Sequence, residues 1–283
     1  MVTRQDYPST EVDAGLSVII ELMTLLAEYN ECIVVVGGWV PFFLFGDADP
    51  PHTGSLDIDL ALDMSSISAD RYATILRLLT SRGYVQSGEQ PFIFHRTVPR
   101  QDGSEMIVEV DLLAPEYGGS GVSRRTQQIQ DVKARKARGC DLAFDGPVPT
   151  TIRHAMPDGA VNEITVNVAG VVPFLVMKGM VIWSRLKEKD AYDIYFTISQ
   201  YRGRLNELVD AFKPRLGNRL VQEGLAKIRA KFAAIDSLGP VWTMIFLGAG
   251  DDAERDRIQR DAFELVNAFL DALGVGPFTP VEQ

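Results

Sequence analysis

The sequence predicts an α+β protein: a mixed sheet flanked by helices over residues 1–170, followed by a mostly helical C-terminal domain over 171–283. Two features of the hydrophobic pattern predict this division. Up to about residue 170, short β-branched or alternating runs are interleaved with stretches of helical spacing; from Pro173 onward the strand signal fades and helical spacing repeats. The composition is that of a folded chain: 46% of the 283 residues are hydrophobic and 23% charged, enough apolar side chains for one large core or two ordinary ones.

In chain order, residues 11–29 carry an apolar stripe (Leu16, Ile19, Ile20, Met23, Leu26) at helical spacing. CIVVVGG, 32–38, reads as a buried strand ended by glycine; 39–45 reads as the helix that follows and 47–54 as a turn-rich loop. SLDIDLALD, 55–63, alternates like a strand, and 68–82 is helical up to Gly83. Strands at 92–98 and 106–113 flank RQDGS, 100–104, a hairpin loop, and 161–168 is a weaker strand. Helices at 174–186, 190–201, 204–213, 217–234 and 254–273 complete the chain, with no internal repeat or low-complexity tract.

The first fifteen residues lack the apolar segment of a secretory signal. The longest apolar run, 33–45, is broken by Gly37, Gly38 and Pro41 and is too short to span a bilayer. Cys32 and Cys140 make no metal or disulfide pattern. These features predict a cytoplasmic protein with no membrane partner. A net charge of −10 argues against a surface coated in nucleic acid. Residues 123–139 nevertheless gather Arg124, Arg125, Lys133, Arg135, Lys136 and Arg138 against Asp131 alone, which suits either a phosphate backbone or a solvated helix face.

The chemistry is concentrated in Asp57-Ile58-Asp59. Alternation along a strand puts both carboxylates on one face, with Leu56, Ile58 and Leu60 on the other. Two carboxylates beside an apolar face repel each other unless a cation neutralises them, and carboxylates suit hard cations such as Mg²⁺. IVEVDLLAP, 107–115, offers a third: Glu109 and Asp111 share one face, with Asp111 at the end of the run as the first choice and Glu109 the alternate. Three such groups would build a site for the paired metals of phosphoryl transfer. Upstream, Gly37-Gly38 stands at a strand-to-helix junction, where absent side chains let backbone approach a triphosphate and a helix N-terminus favours it.

The run VVVGGWVPFFLFG followed by SLDIDL resembles the signature of polymerase-β-like nucleotidyltransferases, which carry a glycine pair, an Asp-x-Asp and a third aspartate on a later strand. A second stretch, PFLVMKGMVIWSRLKEKDAYDIYF (173–196), is similar to the AbiEii-type toxin nucleotidyltransferases of bacterial abortive-infection and toxin–antitoxin systems. There a helical lysine precedes an Arg-x-Lys-x-(Lys/Arg)-Asp-x-x-Asp-(Leu/Ile) stretch. Here the lysine is Lys178, and the later run is Arg185, Lys187, Lys189, Asp190, Asp193 and Ile194. The resemblance covers about residues 30–200 and implies a nucleotidyltransferase-type sheet. It implies Mg²⁺ (or Mn²⁺) on Asp57, Asp59 and Asp111, with Asp111 also activating an acceptor hydroxyl. Gly37, Gly38 and Ser55 would contact nucleotide phosphates, Lys178 would neutralise phosphate charge in catalysis, and Asp190 or Asp193 would complete the nucleotide site. The substrate so implied is an NTP, the acceptor RNA (tRNA), and a cognate antitoxin becomes a candidate partner.

Geometry adds a condition. In one straight helix over 174–196, Lys178 and Asp190 would stand about 18 Å apart along the axis. A shared site therefore demands a break between Ser184 and Lys189. Two alternatives remain. Gly-Gly-Trp before an acidic pair also resembles aminoglycoside and lincosamide nucleotidyltransferases, and an acidic protein suits a cationic antibiotic; those enzymes place a histidine where this chain has Ser55. A non-catalytic nucleotide-binding module of the same fold is the other, although all three carboxylates and the lysine are present. Of the remaining residues, His52 in a Pro-rich loop reads as exposed, His95 and His154 lack metal spacing, Trp39 reads as a core anchor, and Arg96 is a candidate to point into the cleft.

Overall fold

The structure, a computed structural model, describes residues 1–63, 66–67, 74–100, 103–116, 125–248 and 250–276. They group into two compact units, one formed by Tyr7–Leu44 with Thr53–Gly170 and the other by Met1–Asp6, Phe45–His52 and the chain from Val171 onward.

Among the described residues, the first unit holds a nine-stranded mixed sheet. Its strands are β1 (Ile33–Val36), β2 (Ile58–Leu62), β3 (Val85–Gln86), β4 (Ile93–Pro99), β5 (Glu105–Pro115), β6 (Thr126–Ile129), β7 (Val132–Ala137), β8 (Val148–Ala155) and β9 (Val161–Val168). The order is β3-β4-β5-β2-β1-β9-β8, with the β6–β7 hairpin joined to β5 through β7. β2 runs parallel to β5 and antiparallel to β1. Alternation decides the burial: Ile58, Leu60, Val108, Val110 and Leu112 are fully buried between the acidic positions. Helix α1 (Ser9–Leu25) lies against β4, β5, β8 and β9 and buries Val18, Ile19, Ile20, Leu22 and Met23. Glu21 on the same helix is buried too. Burial alone would raise its carboxyl, but Arg96 Nε at 2.8 Å, Tyr84 OH at 3.1 Å and Arg82 Nε at 3.0 Å donate to it and hold it below the usual range. Arg96 is thereby committed to α1, not to a cleft.

Several elements depart from the sequence expectation. The basic segment is no helix face: from Thr126 to Ala137 it forms β6 and β7, with Val132 and Ala134 buried and Lys133 exposed. Its Lys, Arg and Ala favour helices in isolation, and pairing against β5 overrides them. Arg124 lies outside the described residues. β8 begins Val-Pro-Thr-Thr, and Pro149 is accommodated because β8 is an edge strand. Beyond the glycine pair, a 3₁₀ turn (Gly37–Trp39) leads into α2 (Val40–Leu44), whose five residues are too few for the helix-dipole contribution expected there. Of the helix expected at 68–82, α3 (Ile75–Ser81) is described and residues 68–73 lie outside the described set.

The second unit is helical: α4 (Val171–Ser184), α5 (Glu188–Ser199), α6 (Leu205–Phe212), α7 (Arg219–Lys231), α8 (Leu238–Leu247) and α9 (Asp252–Ala272). The break required between Ser184 and Lys189 is present. α8, LGPVWTMIFL, escapes a periodicity reading because it is apolar on nearly every side. No described helix is long and apolar enough to cross a membrane.

α4 and α7 cross at two glycines. A Cβ on Gly179 would fall 2.2 Å from the Gly224 carbonyl oxygen, and one on Gly224 would fall 2.8 Å from that of Val176. Gly179→Ala is therefore expected to destabilise by about 1–3 kcal/mol through overpacking. Urea denaturation tests this, and wild-type stability in the variant would rule out so close a crossing.

Candidate active site

The β2–β5 ladder sets the acidic groups. Asp59 is the register partner of Asp111 and, across β1, of Val36, the residue before the glycine turn. By the same parallel register Asp57, one residue before β2, stands at the level of Glu109. Four carboxylates thus share one sheet face. The indole of Trp39, fully buried and stacked on Phe43, donates from Nε1 to the Asp57 carbonyl at 2.9 Å and ties the acidic strand entry to the core. Ser55, two residues earlier, is buried.

Gly37 adopts φ +69°, a left-handed conformation that favours glycine. A Cβ there would lie 1.9 Å from Asp59 Oδ2, so only glycine lets the turn approach this carboxylate.

Burial and mutual charge shift the titration of the cluster. Burial pushes the Asp111 carboxyl up to about 7, with the Asp59 charge adding to the shift and Arg135 opposing it. Burial likewise raises Glu109, with Asp57 as the next cause; His95 Nε2, 3.7 Å from Glu109, opposes it. Arg135 Nε donates to Asp111 Oδ2 at 3.0 Å, whereas Asp111 Oδ1 is buried with no hydrogen-bond partner. Hard carboxylate oxygens, one of them orphaned, and a turn without a side chain fit a divalent cation. Among the described residues, however, no three His, Cys, Asp or Glu side chains are closed into a ligand shell as they stand. Asp111 Oδ2 is turned to Arg135 instead.

A pH dependence follows. Folded Asp111 keeps its proton to about pH 7, whereas an unfolded aspartate loses it near 4, so the folded state binds more protons in between. This residue therefore makes metal-free stability fall as pH rises from about 4 to about 7. Asp111→Asn is expected to remove that part of the decline in urea titrations with EDTA; identical pH slopes would refute the raised carboxyl.

In the helical unit, the α4–α5 turn brings together the second predicted group. Lys178 Nζ lies 2.7 Å from Asp190 Oδ1 and 2.7 Å from Asp193 Oδ2. Arg185 Nε adds a bond to Asp190 at 2.8 Å and Lys189 Nζ one to Asp193 at 2.8 Å. Lys178, Lys189, Asp190 and Asp193 are all buried, so this is no solvated ion-pair surface. Burial alone would lower Lys178, but the two aspartates raise it; Lys189, with a weaker share of them, is brought down to about 8 by burial. His52 completes the group. Against the sequence expectation it is buried, stacked on Tyr192, with Nε2 2.9 Å from Asp193 Oδ1, and burial lowers it to about 4. No local signal announces a partner 141 residues away.

No protein-family model matches the chain, and no curated protein matches it. It is similar to the crystal structure of a provisionally assigned nucleotidyltransferase from H. pylori, at 11% identity and TM-score 0.47, covering 91% of this chain and 93% of that one.

Proposed function

We propose that the chain is a metal-dependent nucleotidyltransferase that moves a nucleoside monophosphate from an NTP to RNA, with tRNA as the acceptor class, and acts as the toxin of a toxin–antitoxin or abortive-infection system. The observation that carries the reaction class is the register placing Asp59 beside Asp111 at the left-handed turn of Gly37. The RNA acceptor and the toxin role rest on the resemblance of 173–196.

Mg²⁺ or Mn²⁺, held by Asp57, Asp59 and Asp111, would neutralise phosphate charge and favour an ionised acceptor hydroxyl. The protein's part is to hold and orient. The ladder keeps Asp59 next to Asp111 and Trp39 fixes the Asp57 backbone; by the resemblance, the Gly37-Gly38 turn and Ser55 would contact the phosphate oxygens. By the resemblance, Asp111 would also help activate the acceptor hydroxyl and take its proton. The acceptor oxygen bonds to the α-phosphorus and pyrophosphate departs. Lys178, Asp190 and Asp193 saturate one another in a buried set, so their share in nucleotide binding rests on the resemblance alone.

The acidic surface favours one second reading, a cationic small-molecule acceptor. Incubation with each α-labelled NTP, Mn²⁺, total RNA and an aminoglycoside separates the readings. Label in RNA is the expected result, label in the small molecule selects the alternative, and nucleotide binding without transfer to either overturns both in favour of a binding module. If RNA is the acceptor, replacing the exposed Arg125 and Lys133 of the β6–β7 hairpin should weaken binding and flatten its salt dependence.

A further inference from the structure

Arg135 occupies the place of a cation. It lies on β7 in register with Leu113, two residues beyond Asp111, and Nε and Nη2 both reach the same oxygen, Asp111 Oδ2, at 3.0 and 2.5 Å. An arginine fork set fully on a carboxylate engages both oxygens. This one leaves Oδ1 buried and without a partner, next to the Asp59 charge. The two ends of the pair differ in freedom: the Asp111 side chain is 10% exposed and that of Arg135 43%. The guanidinium also rests 5.9 Å over the Phe92 ring. It reaches inward from solvent, so it can withdraw without opening the core.

We propose that Arg135 is a resident counter-ion for the acidic cluster: it holds Asp111 in the metal-free protein, yields Oδ2 when a divalent ion joins Asp59 and Asp111, and then pairs with the triphosphate that arrives with the ion. The inference rests on the reading of these aspartates as metal ligands. A planar fork that suits carboxylate suits phosphate equally well, so the exchange conserves its hydrogen bonds. It also couples the two ligands. Metal alone must displace Arg135 from Asp111, whereas metal with nucleotide offers the displaced guanidinium a phosphate in place of that carboxylate.

Calorimetric Mn²⁺ titrations of the whole chain, with and without a non-hydrolysable NTP analogue, test this. In wild type, metal and analogue are expected to tighten each other's binding by about 5–150-fold. In Arg135→Gln, Mn²⁺ alone should bind about tenfold or more tighter and the coupling should collapse. Arg135→Lys, which keeps the charge and loses the fork, should bind Mn²⁺ tighter by a smaller factor, and it serves if the glutamine variant does not fold. Unchanged or weaker Mn²⁺ affinity overturns the proposal, because a merely structural ion pair would change stability without tightening metal. Asp59→Asn separates the two levels. If it leaves Mn²⁺ binding intact, the ligand reading itself fails; if it abolishes binding while the arginine variants do not tighten it, only the role of Arg135 fails.

Discussion

Asp59→Asn is expected to lower nucleotidyl transfer by about a thousandfold or more while leaving the fold as stable as before, or more so. A thousandfold is about 4 kcal/mol of lost transition-state stabilisation, within the several kcal/mol that charge neutralisation by a bound metal supplies. The stability half of the expectation comes from the register. Neighbouring strands lie about 5 Å apart, and once Asp111 ionises, above about pH 7, like charges at that spacing repel by of order 3 kcal/mol at an effective dielectric constant of about 20. Arg135 offsets part of this, while burial, with the Asp59 charge adding to it, keeps the Asp111 carboxyl raised. Removing the Asp59 charge relieves the strain at the expense of the cation site, as in other trades of activity for stability. Single-turnover transfer and thermal melts in EDTA measure the two halves. Wild-type transfer would end the ligand reading, and a large loss of stability would make Asp59 a structural residue.

Asp193→Asn should act in the opposite way, chiefly through the fold. Asp193 is buried against Lys178, Lys189 and His52, and its carboxyl is held well below the usual range: burial opposes this, and Lys178 and Lys189 more than overcome it. Deleting its charge removes the main counter-charge of a buried ammonium, a loss of about 3–5 kcal/mol. Lys178 retains Asp190, so the loss falls mainly on Lys189, which donates to both oxygens of Asp193. Its pKa is already lowered to about 8, which means the unfolded chain binds more protons above that pH and stability rises as pH climbs from about 8 to about 10. The damage in Asp193→Asn should therefore shrink at alkaline pH, and adding Lys189→Met should recover part of it at neutral pH. Urea denaturation of the single and double variants at both pH values provides the check. A single variant with wild-type stability, or a double variant worse than the sum of its parts, would show that the ions do not act as a pair.

The two expectations differ in how far the sequence reached. Alternation over 55–63 and 106–113 was enough to group Asp57 with Asp59 and Glu109 with Asp111, because side-chain direction along a strand is local. The break before Lys189 was legible from length alone, since an unbroken helix could not bring Lys178 to Asp190. His52 and Arg135 were not legible. His52 read as an exposed loop residue and Arg135 as one of a basic cluster for a phosphate backbone or a solvated helix face, and each acquires its meaning from a carboxylate brought to it by tertiary contact. The same holds for β6 and β7, whose composition favours a helix until β5 offers hydrogen bonds.

By itself, then, the sequence determined the order of strand and helix signals, the face on which each carboxylate lies, and the need for glycine before the acidic strand. Those properties follow from backbone geometry over a few residues. The tertiary structure alone decided the parallel register of β5 against β2, that Arg135 shares Asp111, and that the ions of α4 and α5 are buried around His52. Pairing, burial and charge compensation depend on groups far apart in the chain, and their energies exist only once the chain has folded.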